Sequence, residues 1–228
     1  MDKPLIAITG ASSGIGMAVA KVFSLAGYPL LLMARRIKVM EELALPNSLC
    51  CQVDVTDYEA VSDAIDQGEA QFGFVDGLIN NAGYAVGGEF TEVDLEKHHY
   101  TIQVNIQGTI NCMYAVLPSM RRQSHGTIIN ISSLADRSIR PNLSVYAASK
   151  AAVKSLTESL RTANASYGVR ICNLAPAKIQ TPMMMTSGLQ DNQTIPVENL
   201  AEAILWVYEQ PQKICIRDMV FAPTYYED

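Results

Sequence analysis

Tyr146 and Lys150 are the two side chains whose types and spacing point most directly to chemistry. They stand four residues apart in a stretch with a helical pattern, so the phenol and the ammonium are predicted to share one helix face. A free tyrosine has a pKa near about 10, which makes it a poor proton donor or acceptor at neutral pH. A nearby cation lowers that pKa, so the pair predicts acid–base catalysis. Such a pair also arises by chance among 10 tyrosines and does not define a site alone.

Two serines stand upstream of this pair, at the end of an apolar run. Residues 127–131 read as a buried strand, and Ser132 and Ser133 follow it. A hydroxyl at the carboxyl end of a strand, facing a tyrosine and a lysine, can polarise a carbonyl oxygen. The three groups together predict proton-coupled carbonyl chemistry.

A glycine-rich turn lies between a predicted strand, residues 5–8, and a helical pattern over residues 17–26. Glycines let the backbone approach a pyrophosphate, and the N–H groups at the start of a helix attract its charge. The context predicts dinucleotide binding, with a tight strand–helix turn as the alternative. The predicted binding residues of this turn are Gly10, Ser12, Ser13, Gly14, Ile15 and Gly16.

The end of the second predicted strand, residues 29–34, indicates which dinucleotide binds. An NAD-binding protein places Asp or Glu there, on the ribose 2′-hydroxyl. Here Ala34 is followed by Arg35 and Arg36, which favours the 2′-phosphate of NADP(H). Arg35 is predicted to bind the phosphate, and Arg36 to add more distant charge or to cap the next helix. A solvated turn is the alternative explanation of the two arginines.

Polar residues also follow the third and fourth predicted strands, residues 48–53 and 75–79. Asp54 is placed to accept a hydrogen bond from an adenine amine, although capping or a turn explains it equally. The loop after the fourth strand opens at a carboxyl end, where α/β proteins bind ligands. The predicted cofactor contacts in these two segments are Asp54, Val55, Asn81, Ala82 and Gly83.

Asn105 lies near the middle of residues 93–123, which read as one or two helices. Asparagine is unfavourable inside a helix unless its side chain bonds elsewhere, and an exposed polar residue is the alternative. The other predicted elements are helices at 37–45, 58–72, 145–167 and 200–209 and strands at 126–133, 169–174 and 218–222.

Composition suits one α/β domain spanning residues 1–228, because 49% of the 228 residues are hydrophobic and 18% charged. The net charge of −6 argues against nucleic acid or an anionic membrane as a partner. No apolar run approaches the roughly 18 residues of a membrane span, and no leader pattern is present, so we expect a cytoplasmic protein. The five cysteines lack metal-ligand spacing, so no metal is expected.

Five motifs occur in a fixed order: Thr9-Gly10-x-x-x-Gly14-x-Gly16, Asn80-Asn81-Ala82-Gly83, Asn105, Ser133 and Tyr146-x-x-x-Lys150. Over residues 5 to about 182 they resemble the short-chain dehydrogenase/reductase family. The resemblance implies a single-domain, doubly wound Rossmann fold with a seven-stranded parallel sheet and helices on both faces. It also implies an NADP(H)-dependent oxidoreductase for a small carbonyl or alcohol substrate.

The same resemblance implies a role for each matching residue. Tyr146 would be the general acid/base, and Lys150 would bind the nicotinamide ribose and lower the tyrosine pKa. Ser133 would orient the substrate carbonyl, and Asn105 would hold a water in the proton relay. The positions matching contacts with the nicotinamide carboxamide and the phosphates are Pro176, Ile179 and Thr181.

Three residues depart from the family pattern. Ala177 stands where relatives usually have glycine, so its φ should not be positive. Ser13 is neutral where some NADP-using relatives carry a basic residue. Asp136 replaces a frequent glycine and is expected to place a charge near the substrate mouth.

Residues 178–196 read as a short irregular substrate flap, in which methionines 183–185 and Leu189 predict an apolar pocket. The helices at 105–120 and 145–167 are apolar on more than one face, which predicts burial by the sheet and by a second subunit. Relatives use these helices in dimers and tetramers, so we expect a homodimer or homotetramer. The alternatives in function are a catalytically idle NADP(H)-binding sensor or scaffold and a nucleotide-sugar epimerase.

Overall fold

A seven-stranded parallel sheet forms the centre of the protein in the computed structural model, which describes residues 3–182 and 193–226. The strand order is β3-β2-β1-β4-β5-β6-β7. The strands are β1 (Leu5–Thr9), β2 (Leu30–Ala34), β3 (Ser48–Gln52), β4 (Val75–Asn80), β5 (Gly126–Ile131), β6 (Val169–Pro176) and β7 (Asp218–Phe221). The predicted doubly wound Rossmann fold is confirmed.

Helices cover both faces of the sheet. They are α1 (Gly14–Leu25), α2 (Ile37–Glu41), α3 (Tyr58–Phe72), α4 (Leu95–Ile102), α5 (Gly108–Gln123), α6 (Ser144–Asn164) and α7 (Val197–Glu209). Helices α1 and α7 pack on one face, whereas α3 and α5 pack on the other, joined by the apolar side of α6. Among the described helices, none is long and apolar enough to cross a membrane.

The strands read as continuous apolar runs because both of their faces are buried. In β1, Ile6 and Ile8 point into the core under α1 and α7, while Leu5 and Ala7 point into the core under α3 and α5. Burying a leucine or isoleucine side chain contributes about 1.5–3 kcal/mol relative to exposure, so this alternation fixes the register of the strand.

The strand order reverses between β1 and β4, which are hydrogen-bonded neighbours. The chain leaves β1 towards β2 on one side, and later enters β5 on the other. The connections diverge there and leave a crevice at the carboxyl ends of the two strands, which is the usual ligand site of such sheets. The glycine turn follows β1, and Asn81 follows β4.

Residues 93–123 form two helices joined by a π-helical turn, Gln103–Gln107, with one extra residue in the turn. Helix α2 is shorter than predicted and ends at Glu41, before Ala44 and Asn47, whose φ angles are 47° and 51°. Strand β5 ends at Ile131 rather than at residue 133, although the amide of Ser132 still bonds to the Leu174 carbonyl at 2.8 Å.

Candidate active site

In the glycine turn, neighbouring backbone segments lie so close together that a side chain at Gly10 or Gly16 would not fit. Gly10 has a φ of +66°, a conformation that favours glycine. A Cβ on Gly16 would lie 2.4 Å from the Gly10 carbonyl oxygen and 2.6 Å from the Asn81 side-chain nitrogen. Helix α1 begins at Gly14 with an extended Ser13 before it, and its first turn carries no acidic residue. The turn therefore presents helix N–H groups to an anion.

Thr9 joins this turn to the loop after β4. Its hydroxyl oxygen accepts hydrogen bonds from the amides of Asn81 and Ala82, both at 3.0 Å. The Asn81 side chain donates back to the Thr9 carbonyl at 3.1 Å. These part-buried polar contacts hold the two sides of the crevice together. Thr9 opens the glycine motif but was not predicted as a site residue.

The two arginines after β2 lie differently from one another. The Arg36 guanidinium donates to the Ser12 hydroxyl at 3.3 and 3.2 Å and to the Ser12 carbonyl at 3.2 Å. Arg35 donates to the Tyr100 hydroxyl and lies 5.8 Å from the centre of its ring. Arg36 precedes α2 but makes no capping bond through its side chain. It is therefore a direct partner of the glycine turn, and the predicted capping role was wrong.

Asp54 and Val55 lie in the turn after β3. The Asp54 carboxylate accepts hydrogen bonds from the Thr56 amide at 3.0 Å and from the Thr56 hydroxyl at 2.8 Å. These contacts are the ones expected if Asp54 stabilises a turn, which was the alternative explanation. Val55 is buried, and its carbonyl accepts from the side chain of Asn111 at 2.9 Å. Both residues line the cavity described below.

Asn105 sits in the π-helical turn and is only 1% exposed, so the exposed alternative was wrong. Its oxygen accepts from the Tyr84 amide at 2.8 Å, and its nitrogen donates to the Tyr84 carbonyl and the Ser149 hydroxyl, both at 2.9 Å. The asparagine thus ties the loop after Gly83 to helix α6. Tyr84 and Ser149 carry no motif that would have identified them in advance.

Tyr146 and Lys150 emerge from the first turns of α6, close to Ser133 at the end of β5. The Lys150 ammonium donates to the Ile131 carbonyl at 2.9 Å and lies 5.8 Å from the centre of the Tyr146 ring. A Cβ on Gly83 would lie 3.6 Å from that ammonium and 3.5 Å from the Asn105 oxygen. The four predicted catalytic residues therefore surround one small region.

Burial dominates the electrostatics of this region. It lowers the pKa of Lys150 to about 8, with the Asp136 charge acting in the opposite direction. The pKa of Tyr146 is raised, first by burial and further by Asp136, while hydrogen bonding with Ser133 lowers it. The sequence predicted a lowered tyrosine pKa. The protein alone gives the reverse because the loss of hydration outweighs the favourable contact.

The segment after β6 closes over the glycine turn. Ala177 follows Pro176, its φ is not positive, as predicted, and its amide donates to the Phe221 carbonyl at 2.7 Å. Ile179 pairs with Ile195 in a parallel bridge, and the Thr181 methyl lies 3.3 Å from where a Gly14 Cβ would stand. Methionines 183–185 and Leu189 of the predicted flap lie outside the described residues.

One cavity of about 990 Å³ connects these groups. Its walls include every predicted site residue except Gly16 and Asn105, which are buried beneath the lining residues. Among the lining residues that were not predicted as site residues, five carry aromatic or charged side chains: Tyr84, Tyr100, Arg140, Lys178 and Tyr226. The last three meet at one end, where the Arg140 and Lys178 cations lie 5.7 and 5.0 Å from the Tyr226 ring centre.

The Asp136 side chain points into the protein and does not line the cavity, although its charge acts on the pKa values of Tyr146 and Lys150. Its side chain has 0% exposure and accepts from Arg137 at 2.5 Å and from Ser132 at 2.7 Å. A carboxylate without partners is costly to bury, so the turn directs it inward to these donors.

The comparisons with known proteins agree with this architecture. The family described as short chain dehydrogenase matches residues 4–192. An uncharacterized oxidoreductase of Staphylococcus saprophyticus is 33% identical over 227 residues, covering 95% of this chain and 96% of that protein. The structure of ElxO with NADP bound has a TM-score of 0.90 at 29% identity, covering 98% of both chains. Serine dehydrogenase from Escherichia coli has a TM-score of 0.88 at 28% identity, covering 98% of this chain and 100% of that one. The chain belongs to the short-chain dehydrogenase family.

Proposed function

We propose that this chain is an NADP(H)-dependent oxidoreductase that transfers a hydride between the nicotinamide and a small carbonyl or alcohol substrate. The observation that carries the proposal is one continuous cavity, which joins the glycine turn at one end to Ser133, Tyr146 and Lys150 at the other. A bound dinucleotide would extend from the glycine turn at one end of the cavity to the candidate catalytic residues at the other. Membership of an oxidoreductase family supports the reaction class.

The residues of the first end fit a dinucleotide phosphate. The space that a Cβ would fill at Gly10 and Gly16 is needed for close backbone approach, and α1 directs its amides there. Arg35 and Arg36 supply positive charge where the adenosine ribose would lie, and Ala34 offers no carboxylate to a ribose hydroxyl. The relative solved with NADP bound supports the same choice of cofactor.

The remaining predicted contacts follow from the walls of the cavity. The proposed phosphate contacts are Ser12, Ser13, Gly14, Ile15 and Thr181, the adenine contacts are Asp54 and Val55, and the contacts along the ribose and nicotinamide are Asn81, Ala82, Gly83, Pro176 and Ile179.

The protein supplies the proton, and the bound NADPH supplies the hydride. Ser133 donates a hydrogen bond to the substrate carbonyl oxygen, which makes the carbonyl carbon more electrophilic. As that carbon accepts the hydride, Tyr146 gives its phenolic proton to the oxygen, and an alcohol forms. The raised pKa of Tyr146 keeps this proton in place at neutral pH.

Lys150 and Asn105 complete the proposed proton path. The Lys150 ammonium would bind the nicotinamide ribose and stabilise the phenolate left on Tyr146, thereby lowering its pKa in the complex. Asn105 would position the groups of this proton path, because its side chain bonds to the Tyr84 amide and to the Ser149 hydroxyl, next to Lys150 in the sequence. Its contacts support a holding role rather than a proton-donating one.

A panel of aldehydes and ketones tests the proposal, with NADPH or NADH consumption followed by the absorbance of the reduced nicotinamide. We expect turnover of at least one compound and a preference for NADPH of about tenfold or more, which corresponds to about 1.4 kcal/mol. Tight NADPH binding without turnover of any compound would contradict the proposal and support the idle sensor instead.

A further inference from the structure

Asp136 is a fully buried carboxylate that the proposed reaction does not use. Its side chain has 0% exposure, and it lies three residues after Ser133, within the 3₁₀ turn Leu134–Asp136. Burying a carboxylate is costly unless it is paired and hydrogen-bonded.

The carboxylate binds the turn that presents Ser133. One oxygen accepts from the Ser132 hydroxyl at 2.7 Å, and the backbone amide of Asp136 donates to the Ser133 carbonyl at 2.8 Å. The Ser133 hydroxyl in turn accepts from the Ala135 amide at 3.2 Å. Ser133 is therefore held on both sides by groups that Asp136 anchors.

Hydrogen bonds also link the Asp136 carboxylate to the neighbouring strands β6 and β7. Arg137 donates to it at 2.5 and 3.1 Å and to Asp218 of β7 at 2.7 and 2.8 Å. The Asn173 side chain in β6 donates to Asp136 at 3.1 Å and to Asp218 at 2.8 Å. Lys154 of α6 lies 3.8 Å from Asp218, so the network balances two carboxylates with two cations.

We propose that Asp136 is a positioning residue, which holds the turn at residues 132–136 so that the Ser133 hydroxyl stays aligned with Tyr146 and with a substrate carbonyl. The inference rests on the proposed function for its substrate but not for its geometry. Its physical basis is rigidity, because donors from Ser132 after β5, Arg137 after the turn and Asn173 in β6 converge on one carboxylate. A misplacement of about 1 Å at a reacting group can cost about 100-fold in rate.

A double-mutant cycle separates this role from a general structural one. Asp136→Asn keeps the volume of the side chain but replaces an acceptor oxygen with an amide nitrogen that cannot accept from Arg137 or Ser132. We expect a fall in kcat of about tenfold or more in the wild-type background. With Ser133→Ala already present, Asp136→Asn should change kcat by less than about twofold, because the group it positions is gone. Equal losses in both backgrounds would overturn the proposal.

A second cycle needs no substrate. The contact with Ser133 lowers the pKa of Tyr146, so Ser133→Ala should raise it. The titration is followed by phenolate absorbance, as the difference between each protein and its Tyr146→Phe counterpart. In the Asp136→Asn background, Ser133→Ala should give little or no rise in the Tyr146 pKa, whereas the same rise in both backgrounds overturns the proposal. Loss of the Asp136 charge lowers the Tyr146 pKa equally in the two proteins of the Asp136→Asn background, so it cancels in the difference between them.

The substrate-free cycle also separates this inference from the proposed function. If no carbonyl compound is reduced, the proposed function fails, while the titration still decides the role of Asp136. Asp76→Asn is the matched control, because Asp76 is a buried carboxylate near the amino end of β4, bonded to His125 at 2.5 Å. It should lower thermal stability and leave kcat within about twofold. A loss of kcat equal to that of Asp136→Asn would show that destabilisation alone explains both.

Discussion

The glycine turn offers a ligand backbone amides and two arginines, whereas the end at Tyr146 is built from buried and half-buried side chains. Arg35 is exposed and donates to the Tyr100 hydroxyl, while Lys150 is only 5% exposed. Charges near the surface interact through water and are screened by salt, but buried charges shift the pKa values of their neighbours. We therefore expect changes at the glycine turn to alter cofactor choice, and changes at the buried end to alter turnover and pH dependence.

The largest expected effect is that of Tyr146→Phe. It removes the proton donor and leaves the glycine turn intact, so kcat should fall by about 10²–10⁴-fold while the Kd for NADPH changes by less than about twofold. Single-turnover rates and cofactor fluorescence measure the two quantities. Tyr167→Phe, at the exposed end of the same helical segment, is the control. A variant that keeps more than about a tenth of wild-type kcat would show that Tyr146 is not the acid.

The arginines offer the matching test at the other end. A hydrogen bond to a charged group is worth about 1.5–3 kcal/mol, so one contact to the 2′-phosphate favours NADPH by roughly 10- to 150-fold. Arg35→Ala should lose most of that preference, measured as the ratio of kcat/KM for NADPH and NADH. Arg36→Ala should also raise KM for both cofactors, because it releases Ser12. Raised salt should weaken the wild-type preference.

Arg122→Ala, an exposed change on α5, controls for net charge. A wild-type enzyme that prefers NADH, or an unchanged ratio in Arg35→Ala, would contradict the assignment of the strand end.

The pH dependence sharpens the contrast between the two ends. The pKa of Lys150 is lowered to about 8, so the ammonium loses its proton as pH rises through that value. Tyr146, with its raised pKa, stays protonated there. The kcat/KM for carbonyl reduction should therefore fall above about pH 8, approaching tenfold per unit. Lys150→Arg keeps its charge and should abolish the fall, whereas Arg36→Ala should leave the midpoint in place. A fall that persists unchanged in Lys150→Arg would contradict this origin.

The smallest effect on activity concerns assembly. Ile110 and Tyr114 stand one turn apart on α5 and are 43% and 66% exposed. We expect these residues to lie in a homodimer or homotetramer contact, so light scattering should show an assembly at micromolar concentration. Tyr114→Lys should weaken it and leave kcat within about twofold. Leu25→Lys, at an 88% exposed position on α1, is the control. A monomeric wild type would contradict the prediction.

The sequence predicted the strands well, and it brought the candidate site residues to one cavity, for a physical reason. Strands buried on both faces leave short apolar runs between polar turns, and the groups that do chemistry stand where those runs end. The proximity of Tyr146 and Lys150 could be predicted from helical spacing alone. Gly10 and Gly16 could be predicted because a close approach of the backbone leaves no room for a side chain at these positions.

The side-chain partners could not be predicted in the same way. Whether Asp136 points to the substrate or into the protein depends on Arg137 and Asn173, and Asn173 lies 37 residues away in the chain. The contact between Arg36 and Ser12 spans 24 residues and depends on where α2 begins. Pair contacts between distant polar groups leave no periodic signal in one sequence.

The π-helical turn at Gln103–Gln107 also constrains how this chain can change length. An α-helix rotates by about 100° per residue, so one extra residue changes the phase between α4 and α5. Deleting Gln103 would force one of the two helices to rotate by that angle. Either His98 and Thr101 would then leave their buried face, or Asn105 would leave Tyr84 and Ser149. A single-residue deletion there should be far more damaging than any substitution at the same exposed position, because it shifts the phase of a whole helix.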